Sequence, residues 1–218
     1  MNQDLVEAVK AYATCDHEQV VELLHGKSKG TVVSILIDLL TEYFNDKNSS
    51  TLREFVVVSL SGFAPSKRKI GYNGYRQDSI SGSVQYCEAK PKNIDTNRAS
   101  AKLDGGGNFT DYSWDRFERD KRENPTMVIG GFIDGRLVYI FRFAFCSVDF
   151  LKRLERQLQV RFPDGDRKNE YLRSASFGLK DYQNTDGLEC NVFVDGITLE
   201  KYKKYMTKGV YATLEPYV

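Results

Sequence analysis

Glu88-Ala89-Lys90 sets a carboxylate and an ammonium two residues apart in text that reads as a strand, and side chains two apart on a strand project to one face. One small site then holds an acid beside a cation. Asp78 falls on the other arm of an expected hairpin, where it can bring a second carboxylate to the same edge. Two carboxylates suit a hard divalent cation such as Mg2+, and the backbone carbonyl of Ala89 can add a third oxygen. An ion held by Asp78, Glu88 and Ala89 polarises a phosphate and lowers the pKa of a bound water, while Lys90 orients that water and offsets charge growing on phosphorus. The chemistry expected of Asp78, Glu88 and Lys90 is phosphodiester hydrolysis.

These residues need a scaffold, and 218 residues with 41% hydrophobic and 28% charged side chains suit one sizeable core. The expected organisation is a single α/β domain: a helical scaffold over 1–65, a catalytic core over 66–145, and C-terminal helices and strands over 146–218. Asp16 caps a helix running to about Leu24, and Val32, Leu36, Leu39, Leu40 and Tyr43 form the apolar face of a second. Thr51 and Glu54 match a capping box opening a third, in FVVVSL. After Pro65 the Gly- and Ser-rich text predicts a hairpin turning near Ser81-Gly82, its second strand ending at Lys90 because Pro91 stops regular pairing. A helix is expected from Thr110, stapled by Phe109 and Trp114, and then strands Met127 to Ile133 and Arg136 to Phe145 joined tightly by Asp134-Gly135. Leu151, Leu154 and Leu158 mark a further helix, followed by a strand near Cys190 to Val194 and a helix from Thr198 to Met206.

Composition removes other chemistries. Only His17 and His25 are present, and the four cysteines form no CxxC pair, so zinc sites and Ser-His hydrolysis are disfavoured. No apolar run is long enough to span a membrane and the N-terminus lacks a signal-peptide layout, which predicts a cytoplasmic protein. The net charge is only +1, yet residues 66–102 carry eight basic side chains against three acidic ones, a local excess able to attract phosphate. Lys92 and Arg98 belong to it. Further candidates for DNA contact are Asn108 and Thr110, next to the glycine loop 105–107, and Arg173 and Ser174 in a polar cluster. Tyr72, Tyr75 and Tyr86 read as packing residues.

The order helix, hairpin, ExK strand, helix, strand, with the phrase GYNGYRQDSISGSVQYCEAKPKN, resembles the PD-(D/E)xK nuclease superfamily and within it a type II restriction endonuclease, over roughly residues 50–145. The resemblance implies a mixed β-sheet flanked by helices, magnesium dependence, and double-stranded DNA cut by a homodimer. Many relatives resemble GYDG where this chain reads Gly71-Tyr72-Asn73-Gly74, which makes Asn73 the alternative occupant of the first-acid position. Asp78 is preferred on charge. Superfamily members often supply a carboxylate from the preceding helix, a place that Glu54 matches. Two other readings stay open: a nuclease of phage, repair or junction-cutting role, and a DNA-binding module with a decayed ExK.

Overall fold

The computed structural model describes residues 2–45, 50–66, 71–94, 96, 101–167 and 170–218. Helices α1 (Gln3–Thr14), α2 (His17–His25), α3 (Lys29–Asn45) and α4 (Thr51–Leu60) precede strands β1 (Ala64–Pro65), β2 (Gly74–Gln77), β3 (Val84–Ile94) and β4 (Gly107–Tyr112). Then come α5 (Trp114–Glu123), β5 (Thr126–Ile133), β6 (Arg136–Ala144), α6 (Val148–Arg161), β7 (Leu172–Phe177), β8 (Glu189–Val192), α7 (Gly196–Tyr202) and α8 (Lys208–Leu214). Six strands form one sheet in the order β1-β2-β3-β5-β6-β8, in which β3 and β5 run parallel and the other neighbours antiparallel. This is the mixed, helix-flanked sheet expected of an α/β protein. No helix of the described residues is long and apolar enough to cross a membrane.

The sheet separates two cores. Cys87 and Ala89 of β3 face α4, whose Phe55, Val56, Val57 and Val58 are all buried. On the opposite face, an aromatic core under α5 and α6 centres on Phe109, whose ring lies 4.9 Å from Tyr112, 6.2 Å from Phe145 and 6.0 Å from Phe177. Alternation along β3 therefore puts Cys87 and Ala89 behind the sheet and Glu88, Lys90 and Lys92 in front. Asp16 caps α2 as expected, with a capping box to Gln19. Asp134 and Gly135, both at positive φ, make the two-residue turn between β5 and β6.

Several expected boundaries move. The strand does not end at Pro91: β3 continues to Ile94, pairing with β5 throughout. Pairing with β2 stops at Cys87, so beyond it β3 has one ladder neighbour, and a proline without an N–H is tolerated at such an edge. Residues 107–112 form β4, paired antiparallel with β7, instead of opening a helix. Phe109 is buried in the aromatic core, and the helix begins four residues later than expected, at Trp114, capped by Ser113. The capping box at Thr51 also fails: Ser50 is the N-cap residue of α4 and makes no side-chain cap bond, and the Glu54 carboxylate is engaged elsewhere. Among the described side chains of α3 the buried one is Ile35, whereas Leu36 is exposed; the side chains of Leu40 and Tyr43 lie outside the described residues.

Candidate active site

Glu88 and Lys90 stand together on the front of β3. The Lys90 Nζ donates to Glu88 Oε1 at 2.7 Å, and Arg116 of α5 reaches the same oxygen at 3.4 Å. Glu88 is only 5% exposed, so its charge depends on these two cations for compensation. Lys90 also lies 4.7 Å from the centre of the Phe109 ring, whose π-face favours the ammonium. Behind Arg116 sits a second buried acid, Asp120, which accepts from Arg119 at 2.7 Å and from the Tyr72 hydroxyl at 3.0 Å. Burial outweighs these partners and raises the Asp120 pKa above the ordinary aspartate value. Burial is also the main reason that the Tyr72 hydroxyl is held protonated far above the usual tyrosine range.

Asn73, not Asp78, is the residue that β2 and its lead-in place beside Ala89 of the Glu88–Lys90 strand. Gly74 pairs with Cys87, and a Cβ at residue 74 would lie 2.5 Å from Val58 Cγ1 and 2.8 Å from Cys87 Sγ. Packing of α4 on the sheet thus requires glycine there and pins the register. Asn73 then falls beside Ala89, whose backbone N–H it accepts through Oδ1 at 2.8 Å, while its Nδ2 donates to Glu54 Oε2 at 2.9 Å. In a strand the N–H and C=O of one residue point the same way, so the Ala89 carbonyl faces this edge too.

Asp78 lies at the hairpin tip. Its backbone N–H pairs with Ser83, five residues from Glu88, roughly 16 Å away along the strand. Its carboxylate accepts the N–H groups of Ser81 and Ile80, at 2.6 and 2.9 Å, and these bonds hold its pKa below the ordinary value. Asp78 is a turn-forming residue, a role that Asx side chains fill by bonding their own backbone. Asn73 links Glu54 of α4 to the Ala89 N–H, Glu88 and Lys90 pair on the flanking positions of the same strand, and Asp78 lies away from both.

The remaining candidates divide. Asn108 and Thr110 are exposed on β4, and Asn108 pairs with Ser176 and Thr110 with Ser174 of β7, so they share one polar face of a two-stranded ribbon. Arg173 is exposed on the same strand. The ribbon abuts the site, since a Cβ at Gly107 would lie 2.8 Å from that of Lys90. The glycine loop is not an open anion cradle: Gly106 N–H is bound by Asp104, and the Gly105 carbonyl by the Tyr182 hydroxyl. The start of α5 is likewise engaged, as Asp166 accepts from the N–H groups of Trp114 and Asp115. Lys92 pairs with Asp104 at 3.0 Å; Arg98 lies outside the described residues.

Arg116 and Asp120 escaped sequence reasoning, although their i, i+4 spacing in WDRFERD carried a signal for a charged pair on one helix face. No protein-family model matches the chain, and no curated protein matches it.

Proposed function

We propose that this protein is a magnesium-dependent DNA endonuclease of the PD-(D/E)xK kind. The observation carrying the proposal is the pairing of Glu88 with Lys90 on one strand face, beside the Glu54–Asn73 bridge at the edge where β2 ends. Among the described residues no group of three or more His, Cys, Asp or Glu side chains is poised to hold a metal. Magnesium does not need one, because it is commonly held by one or two carboxylates, waters and substrate phosphate. Glu88, Glu54 and the Ala89 carbonyl supply hard oxygen donors of that type, and both protein cations approach Glu88 through Oε1 alone. Bound there, the ion would supply Lewis-acid polarisation of the phosphate and a more acidic water.

The protein's own groups do the rest. Lys90 holds the attacking water and offsets charge on the pentacoordinate phosphorus as a water oxygen bonds to it and the ester P–O bond breaks. Arg116 stays beside the Glu88 carboxylate when Lys90 turns to substrate. The exposed face of β4 and β7 presents Asn108, Thr110, Ser174 and Ser176, short hydrogen-bonding side chains on a ribbon, an element that fits the major groove of duplex DNA. Site-specific cleavage of both strands would then use two copies of the chain, one for each strand.

Incubation with plasmid DNA and Mg2+, with and without EDTA, tests the proposal. Cleavage that is lost with EDTA and in Glu88→Ala supports it, and the absence of any cleavage across divalent cations overturns it. A second reading is favoured by Asn73, a neutral amide at the acid position: a DNA-binding module without cleavage. Metal-independent binding by an uncleaving protein would select that reading.

A further inference from the structure

The two strands leading into the site carry an aromatic surface that packing does not explain. Tyr75 and Tyr86 are directly opposed across β2 and β3, so both rings project to the same face as Glu88. Tyr86 and Glu88 are two residues apart, ~7 Å along the strand and within one nucleotide's reach. Tyr72 stacks on Tyr86 with ring centres 5.0 Å apart, and the Arg119 guanidinium lies 5.5 Å over the Tyr72 ring. The Tyr72 hydroxyl is anchored on buried Asp120, which makes this stack a fixed platform. Tyr75 is 45% exposed and cannot be a core residue. Together with Gly74, Arg119 and Arg122, the three tyrosines line a pocket of about 300 Å3, a size at the lower end of ligand sites.

We propose that this pocket takes an unpaired nucleobase of the strand being cut, so that the preferred substrate carries single-stranded nucleotides beside duplex. This rests on reading Glu88 and Lys90 as a nuclease site. Planar π-faces and guanidinium groups are what a base recognises by stacking, and they take any base, whereas a base within a duplex has both faces covered. Arg119 is paired with Asp120 and Arg122 with Glu123, which also lines the pocket, so stacking on the rings and guanidinium planes, not net charge, is what holds the base.

The test measures binding by fluorescence anisotropy in EDTA, comparing a blunt duplex with the same duplex extended by a short oligothymidine tail. The tail should tighten binding to the wild-type protein roughly tenfold. Tyr75→Ala and Tyr86→Ala should each lose most of that gain, and Tyr86→Phe, which keeps the ring, should retain it. A tail that adds nothing in the wild type overturns the proposal, as does a gain that survives in a double Tyr75→Ala, Tyr86→Ala variant shown to be folded by circular dichroism. The nuclease reading fails separately: a protein that cuts with Mg2+ but ignores the tail loses the pocket alone, and one that never cuts yet shows the tyrosine-dependent gain loses the nuclease alone.

Discussion

Asn73 and Ala89 are joined by a side-chain-to-backbone hydrogen bond of 2.8 Å that replaces the ladder bond β2 would have made had it continued. The other end of the Asn73 amide donates to Glu54, so one neutral side chain spans a helix carboxylate and strand β3. Asn73→Asp keeps the acceptor for Ala89 but sets two carboxylates against each other. The variant should lose about 1 kcal/mol without metal, through the lost donor and the repulsion, and recover it with Mg2+. Thermal unfolding with and without Mg2+ reads this directly. A melting temperature indifferent to Mg2+ would show that Glu54 and residue 73 do not share a cation.

Asp78 should be dispensable for cleavage. Its carboxylate organises the hairpin tip through Ser81 and Ile80, far along the strand from Glu88. Asp78→Asn is expected to cut within a few-fold of wild type. Asn73→Ala, which leaves the Ala89 N–H without its acceptor and frees Glu54, should cut on the order of a hundredfold more slowly. Single-turnover cleavage of one duplex by both variants decides it, and the reverse order of effects would return the first-acid position to Asp78.

Glu88, Lys90 and the strands around them were legible because their signals are local: side-chain alternation along β3, the Asp134-Gly135 turn, and the apolar runs of β5 and β6. The place of Asn73 beside Ala89 was not. It depends on which residues of β2 and β3 pair, and that is set by Val58 and Cys87 pressing on Gly74, contacts between segments distant in sequence. The same applies to 107–112, where the helix-start signal of Phe109 and Trp114 around Thr110 lost to pairing with β7, an element 60 residues away. Ion pairs from α5 to β3 are similarly invisible until the helix is docked.

Lys90 and Arg116 share one acceptor oxygen but should separate by phenotype. Lys90→Ala leaves Glu88 paired with Arg116, so the protein should stay folded and bind DNA while cleavage falls roughly 10²- to 10⁴-fold. Arg116→Ala removes a partner from both Glu88 and Asp120 and should cost about 2 kcal/mol of stability. Urea unfolding and single-turnover kinetics on both variants provide the comparison. Equal loss of stability in the two would mean that Lys90 is an ordinary structural cation.

Gly107 governs how closely the β4–β7 ribbon approaches Lys90. A Cβ there would lie 2.8 Å from Lys90 Cβ and 2.9 Å from Phe177 Cζ, too close for either to remain in place. Gly107→Ala should therefore destabilise by about 1–3 kcal/mol and slow cleavage by displacing the lysine. Gly178→Ala, whose Cβ meets nothing within 4 Å, is the matched control. Cleavage by Gly107→Ala at the wild-type rate would show that Lys90 tolerates a shifted ribbon.

Asp120 gives the fold a pH dependence of defined sign. Burial raises its pKa in the folded state, so between that value and the ordinary aspartate pKa of about 4 the folded protein binds more protons at this site than the unfolded chain does. Stability from this group is therefore present at low pH and lost as pH rises through the folded pKa. Asp120→Asn removes the titration while keeping an acceptor for Tyr72 and Arg119. Urea unfolding of both proteins from neutral pH down to about pH 4 should show wild type gaining on Asp120→Asn as acid is added. A difference that is flat across the range, or that shrinks on acidification, would mean that the arginines beside Asp120 outweigh its burial.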